Sequence, residues 1–263
     1  MPASPAPVLR DLRTLLCDAD GNLFPSEGPA FVASARVTNR YLASLGIDRR
    51  YEAEELRLTT TGKNFRTTAG DLALSHGVDV PDLGPWVEEE KHAVTAHLSR
   101  ELRPDADVLD SLRPIGVQLT LAAVSSSALS RLAACFTATD LDVLIPADRR
   151  FSAEDSLPTP TSKPDPAIYL HACAELGIAP AQGLAVEDSV IGATSAVRAG
   201  CPTIGNVRFV PAPERAERAA ELRAAGVLTV VSSWSELTQL LLPVLVLRGR
   251  RAGDPVRAEG SLR

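Results

Sequence analysis

Residues 17–27 read CDADGNLFPSE, placing two aspartates, Asp18 and Asp20, one residue apart directly behind a short apolar run. Paired charge beside a hydrophobic segment is costly unless something neutralises or uses it. A carboxylate exposed at a strand end, followed two residues later by a second, can divide labour: one attacks as a nucleophile, the other gives and takes protons. Two anions also invite a cation. A third acid, Asp188, with Glu187 beside it in VEDS, would complete an oxygen-only site of the hard type that Mg²⁺ prefers. A phosphoryl group brought to an aspartate adds further negative charge that must be offset, and Lys163 is the candidate counter-charge. Ser125, where an apolar run stops at SSS, can offer its hydroxyl and backbone N–H to a phosphoryl oxygen at the start of a helix. Each piece also has a plain structural reading. DADG can be a surface turn, Ser125 a helix cap, Lys163 a solvated loop residue, and Glu187 with Asp188 a cap for a helix beginning near Val190.

The elements that must position these groups follow from periodicity. TLLC (14–17), GVQLTLAAV (116–124) and GLAVEDS (183–189) are short apolar runs closed by polar residues, the pattern of strands buried on both faces. Amphipathic helical stretches cover 105–113, 128–136, 165–177, 190–199 closed by Gly200, and 212–225 closed by Gly226. Strand alternating with helix predicts an α/β fold with a doubly wound parallel sheet, in which ligands bind beyond the carboxyl ends of the strands. Three strand ends deliver polar groups there. From Glu27 to Glu101 the pattern is helical throughout, too long for a βα connection, and predicts an inserted α-helical cap domain over 27–101. The core is then 1–26 and 102–247. A mobile start over 1–10 and a disordered Arg-rich tail over 248–263 complete the expected organisation.

Composition excludes other classes. The chain of 263 residues is 45% hydrophobic with net charge −6, which leaves no electrostatic footprint for nucleic acid. No run approaches the roughly 18 apolar residues of a membrane span, and the start MPASPAPVLRDLR lacks the order of a signal peptide. A cytoplasmic protein, monomer or homodimer, is expected. Cys17, Cys135, Cys173 and Cys201 match no metal-binding spacing and are expected to be reduced core residues. His76, His92, His97 and His171 have no partner spacing.

DADGNL, a strand ending in Ser125, KPDPAIY (163–169) and VEDSVIGATSAVRAG (186–200) together resemble the four successive motifs of the haloacid dehalogenase superfamily. With the helical insert, they resemble its branch containing β-phosphoglucomutase and phosphoglycolate phosphatase. The resemblance implies a Rossmann-like core, Asp18 as the nucleophile that becomes aspartyl-phosphate, and Asp20 as general acid/base. It also implies phosphate binding by Ser125, Ser126 and Lys163. Mg²⁺ would be held by Asp18, the backbone carbonyl of Asp20, and Asp188 with Glu187. An acid at Asp20 sets the chain apart from the dehalogenases and phosphonatases of that superfamily. Asn22, Ser195 and Cys201 depart from its usual Thr or Val, Ala and Met. TTTGKNFRTTAG (59–70) occupies the place of the family's specificity loop, where Lys63, Asn64 and Arg66 can hold an anionic substrate or be plain solvated groups; Arg57 is a weaker candidate.

The expected activity is Mg²⁺-dependent hydrolysis of a small phosphorylated metabolite. A phosphomutase is the alternative, although FPSEGPAF lacks the histidine that the β-phosphoglucomutase pattern carries nearby. A non-catalytic binding protein on the same fold predicts loss of Asp18, Asp20, Lys163 or Asp188, and all are present.

Overall fold

The computed structural model describes residues 11–60 and 63–253, with side chains described as far as Leu245. Thr14–Cys17 forms β1, and its alternation serves two faces of a sheet: Leu15 and Cys17 join one core cluster, Leu16 the other. β2 is Thr120–Ser125, β3 Arg150–Ser152, β4 Gly183–Glu187, β5 Thr203–Asn206 and β6 Thr229–Val231. All pair in parallel in the order β3-β2-β1-β4-β5-β6. β1 therefore lies between β2 and β4, where the winding of the sheet reverses. That reversal is where parallel α/β sheets open a crevice at their carboxyl ends.

The expected strand over 116–124 begins only at Thr120. Helix α5 (Ala106–Gly116) continues through Pro114 to Gly116, and Leu119 N–H closes the turn onto the Ile115 carbonyl. β3, β5 and β6 are strands that periodicity does not reveal, being only three or four residues long and stabilised by lateral pairing.

The helices close both faces. α5, α6 (Leu129–Ala138) and α10 (Trp234–Gly253) cover the face carrying Leu15 and Cys17, through Leu112, Phe136 and Trp234. α7 (Ala167–Glu175) and α8 (Val190–Arg198) cover the other face, where Tyr169 and Ala196 meet Leu16. α9 (Arg215–Ala224) closes a smaller cluster with Leu222 against Val207 and Val227. The four cysteines are free and buried. α10 runs on to Gly253, into the stretch expected to be a tail; residues 254–263 and 1–10, the rest of the expected mobile ends, lie outside the described residues. Among the described residues no helix is long and apolar enough to cross a membrane.

Between β1 and α5 come α1 (Glu27–Ser44), α2 (Ala53–Thr60), α3 (Phe65–Ser75) and α4 (Gly84–Glu101), with no strand among the described residues. Their far end has its own cluster of Tyr41, Leu42, Ala69, Ala73 and Leu83, with Trp86 edge-on to Tyr41. Their near end, Ala33, Val94 and Leu98, merges with the main core. The insert is thus seated over the carboxyl end of β1.

Leu16 is fully buried at the centre of the sheet. Leu16→Ala should lower unfolding free energy by about 2–5 kcal/mol; a chemical-denaturation midpoint unchanged from wild type would contradict this packing.

Candidate active site

The parallel register sets the tips of three strands side by side: Cys17 is level with Ala123 on β2 and Val186 on β4. Asp18, Ser125 and Glu187 with Asp188 therefore emerge at one end of the sheet. The Asp18 N–H continues the ladder to the Val186 carbonyl at 3.0 Å. Gly21, at φ +76°, turns the chain back over the strand end; a Cβ there would lie 2.3 Å from Asp188 Oδ2.

Asn22, which stands where the resemblance leads to Thr or Val, ties this loop down. Its fully buried amide donates to the carbonyls of Asp18 at 2.9 Å and Val186 at 3.0 Å. Its Oδ1 accepts from Asn206 Nδ2 at 2.8 Å, and its backbone carbonyl accepts from Trp234 Nε1 at 3.0 Å. Three strands and the last helix thus converge on the four residues after Asp18.

Lys163 reaches the same place from the loop before α7. Its buried ammonium spends all three donors, on Asp18 Oδ1 at 2.5 Å, Glu187 Oε1 at 2.6 Å and the Val124 carbonyl at 2.8 Å. Burial alone opposes that charge, but Asp18 and Glu187 more than offset it and hold the ammonium above its ordinary pKa. Tyr169, in the first turn of α7, donates its hydroxyl to Glu187 Oε1. Ser126 Oγ accepts from the Lys163 N–H at 3.1 Å, and Ser125 Oγ accepts from the Ser127 N–H at 3.0 Å. The cap of α8 is Ser189, which accepts from the Gly192 N–H; Glu187 and Asp188 are free of that duty.

One oxygen from each of Asp18, Glu187 and Asp188 lies within 4.8 Å of the others. Burial raises the Asp18 carboxyl well above its usual pKa; Lys163 pulls it down, and Glu187 and Asp188 push it up. Burial, then Glu187, pushes Asp188 up to about 8. Glu187 Oε2 is buried with no hydrogen-bond partner among the described residues. An orphaned carboxylate oxygen beside two crowded carboxylates is what a hard divalent cation would relieve, so the donor set fits a Mg²⁺-type ion.

Asp20 is set apart from that cluster. Oδ1 accepts from Ser26 Oγ at 2.6 Å and Arg131 Nη2 at 2.8 Å, and Oδ2 accepts from Ser127 Oγ at 2.7 Å. Burial opposes its charge, but Arg131 and the two hydroxyls hold it below the usual carboxylate range. Ser26 occupies the cap position of α1 yet gives its hydroxyl to Asp20 instead of capping. Ser26, Ser127 and Arg131 were not singled out by sequence reasoning. Only the SSS run hinted at the second, and nothing local marks an arginine on α6 as a partner of Asp20.

A cavity of about 700 Å³ opens above these groups, lined by Asp18, Asp20, Ser125, Ser126, Lys163 and Asp188 from the core, and by residues of α1 to α4 opposite. Of the proposed specificity residues, Lys63 and Asn64 line it. Lys63 also pairs with Asp71 at 2.7 Å, and Asn64 caps α3. Arg66 is exposed and is not among the lining residues. Arg57 is turned away, into ion pairs with Glu54 and with Glu214 of the core.

The chain is similar to known proteins. A family model described as haloacid dehalogenase-like hydrolase matches residues 12–200. Protein CbbY of Cereibacter sphaeroides is 31% identical over 242 residues, covering 86% of this chain and 94% of that protein. A HAD family hydrolase from Deinococcus radiodurans R1, solved with bound phosphate and sodium, is 25% identical with a TM-score of 0.67, covering 89% of this chain and 97% of the other. CbbY from Rhodobacter sphaeroides, solved as a mutant in complex with xylulose-(1,5)bisphosphate, is 25% identical with a TM-score of 0.63, covering 86% and 96%.

Two outcomes check the geometry. A Cβ on Gly192 would lie 1.8 Å from Glu187 Oε2, so Gly192→Ala should cost about 1–3 kcal/mol in urea denaturation; an unchanged midpoint would refute the close approach. The raised Asp188 pKa means that, without metal, this group's favourable contribution is complete below its unfolded pKa of about 3.9 and is lost as pH climbs towards 8. In chelator, the melting temperature of Asp188→Asn should therefore gain on wild type between pH 5 and pH 8. A gap that narrows or reverses would contradict the sign.

Proposed function

The chain belongs to the haloacid dehalogenase-like hydrolases, and from that premise we propose that it is a Mg²⁺-dependent phosphatase of a small phosphorylated metabolite, working through an aspartyl-phosphate on Asp18. One observation carries the reading: a buried aspartate held by a lysine at the tip of the central strand, with a second aspartate two residues on, both lining a cavity beneath the insert. The bound phosphate and the sugar bisphosphate recorded with two similar proteins support it.

Asp18 Oδ2, opposite the oxygen bound to Lys163, attacks phosphorus. The P–O bond to the leaving group breaks, and Asp20, which Arg131 holds in its carboxylate form at rest, takes up a proton as the substrate binds and gives it to the departing oxygen. Water then attacks phosphorus, Asp20 takes a proton from it, and the Asp18–phosphorus bond breaks to release inorganic phosphate. Lys163 offsets the charge gathered on the phosphoryl oxygens, and Ser125 and Ser126 supply hydroxyl and N–H donors at the end of β2. Asp18, Asp188 with Glu187 behind it, and the Asp20 carbonyl would hold the Mg²⁺, which when bound neutralises the carboxylates and orients the phosphoryl group. The insert acts in this scheme as a cap that excludes bulk water and reads the rest of the substrate, with Lys63 and Asn64 on its wall.

Phosphate release from a panel of phosphorylated metabolites, with Mg²⁺ or chelator, tests the proposal. Release should require Mg²⁺, and Asp18→Asn should lower turnover by about 10³-fold or more while keeping its circular dichroism spectrum. A fully active Asp18→Asn protein would end the mechanism. Isomerised sugar phosphate with no phosphate released would assign the same residues to a phosphomutase.

A further inference from the structure

The donors on Asp20 are shared unequally between its two oxygens. Oδ1 accepts from Ser26 Oγ at 2.6 Å and from Arg131 Nη2 at 2.8 Å, which takes both of its lone-pair sites. Oδ2 accepts from Ser127 Oγ, at 2.7 Å, and has no other partner among the described residues. A group entering the cavity that Asp20 lines therefore finds its open acceptor position on Oδ2.

The three donors do not hold the carboxyl in the same way. A serine hydroxyl rotates and can give its proton to either oxygen, so two serines locate a carboxyl without deciding which oxygen faces outward. Arg131 is different. It reaches Asp20 from the first turn of α6, 111 residues along the chain, with a planar, permanently charged guanidinium that cannot turn to suit its partner. Its side chain is only 26% exposed, and its buried Nε has no hydrogen-bond partner beyond the weakly accepting Cys135 thiol among the described residues. A buried donor left so poorly served is costly. The arginine is thus oriented for Asp20 at the expense of one of its own N–H groups.

We propose that Arg131 is a positioning residue for the acid–base step: with Ser26 it occupies Oδ1 and so fixes Oδ2 as the oxygen that passes the proton to the leaving group. The inference rests on the phosphatase reading and extends it to a residue outside the core motifs. As the bond from Asp18 Oδ2 to phosphorus forms, the P–O bond to the leaving group breaks and its electron pair stays on the departing oxygen. The proton on Asp20 Oδ2 moves to that oxygen, and Asp20 is left as the carboxylate. Without Arg131 an acceptor position opens on Oδ1, the two oxygens become nearly equivalent, and the carboxyl loses its fixed aim. The loss falls hardest on esters whose departing oxygen most needs a proton.

A leaving-group series reads this directly. p-Nitrophenyl, phenyl and benzyl phosphate are similar in shape, and in that order their departing oxygen depends increasingly on a proton. The quantity to follow is kcat/KM, which ends with departure of the leaving group, so the later attack of water on the phosphoenzyme does not enter. Arg131→Gln should lose about 100-fold on benzyl phosphate and about threefold on p-nitrophenyl phosphate, with phenyl phosphate between them. Arg131→Lys, which keeps a cationic donor, should recover part of the loss on benzyl phosphate. An arginine that merely braces the fold would lower the whole series by one factor. A common factor, or no loss, in a folded Arg131→Gln overturns the proposal. Crystal structures of wild type and Arg131→Gln give a second reading that needs no turnover: Asp20 should leave its wild-type rotamer or occupy two, and a carboxyl unmoved in the variant also overturns the proposal. If the wild type hydrolyses neither this series nor any ester of the metabolite panel, the phosphatase reading fails, and the pair of structures still decides whether Arg131 positions Asp20.

Discussion

The contact on which the site depends is the buried ammonium of Lys163 between Asp18 and Glu187. Three carboxylates gathered at the neighbouring ends of β1 and β4 repel each other at close quarters in a medium far less screening than water. The fold tolerates them because a cation with every donor satisfied stands among them, and because Tyr169 gives Glu187 a further hydrogen bond. The compensation is partial. Glu187 Oε2 remains without a partner, and the Asp18 and Asp188 carboxyls stay biased towards the proton. A site left short of positive charge is one that a divalent cation would suit. The same lysine offsets the charge that a phosphoryl group would bring.

Holding that charge in place requires rigid backbone, and the structure supplies it through Asn22. A buried amide can satisfy its donors and its acceptor only where partners surround it, and here they come from β1, β4 and β5. Trp234 extends the tie to α10, whose first N–H groups are in turn capped by Asp107 of α5. The loop carrying Asp18 and Asp20 is therefore anchored through backbone groups and the Asn22 amide, and their carboxylates are not spent on anchoring it.

The two aspartates end in opposite environments although one residue separates them. Asp18 lies with other acids and a single lysine, and its carboxyl is raised; Asp20 lies with an arginine and two hydroxyls, and its carboxyl is lowered. Divergent environments of this kind are how neighbouring carboxyls take different roles. The insert contributes to the division, since Ser26 at the start of α1 donates to Asp20 and Glu90 of α4 faces Arg131.

By itself the sequence determined the alternation of short apolar runs with amphipathic helices, and hence the parallel sheet and the helical insert. It also determined which strand ends carry Asp18, Ser125, Glu187 and Asp188, because apolar runs and the polar residues that close them are properties of neighbours along the chain. It did not disclose β3, β5 or β6, which are too short to show a period and are held by pairing with β2, β4 and β5 in turn. Nor did it disclose Asn22 as an anchor, or Ser26, Ser127 and Arg131 as the partners of Asp20. Those contacts join positions as far apart as 22 and 206, or 20 and 131. A side chain's charge and hydrogen bonds are assigned by what folding brings beside it, and only the tertiary structure decides that.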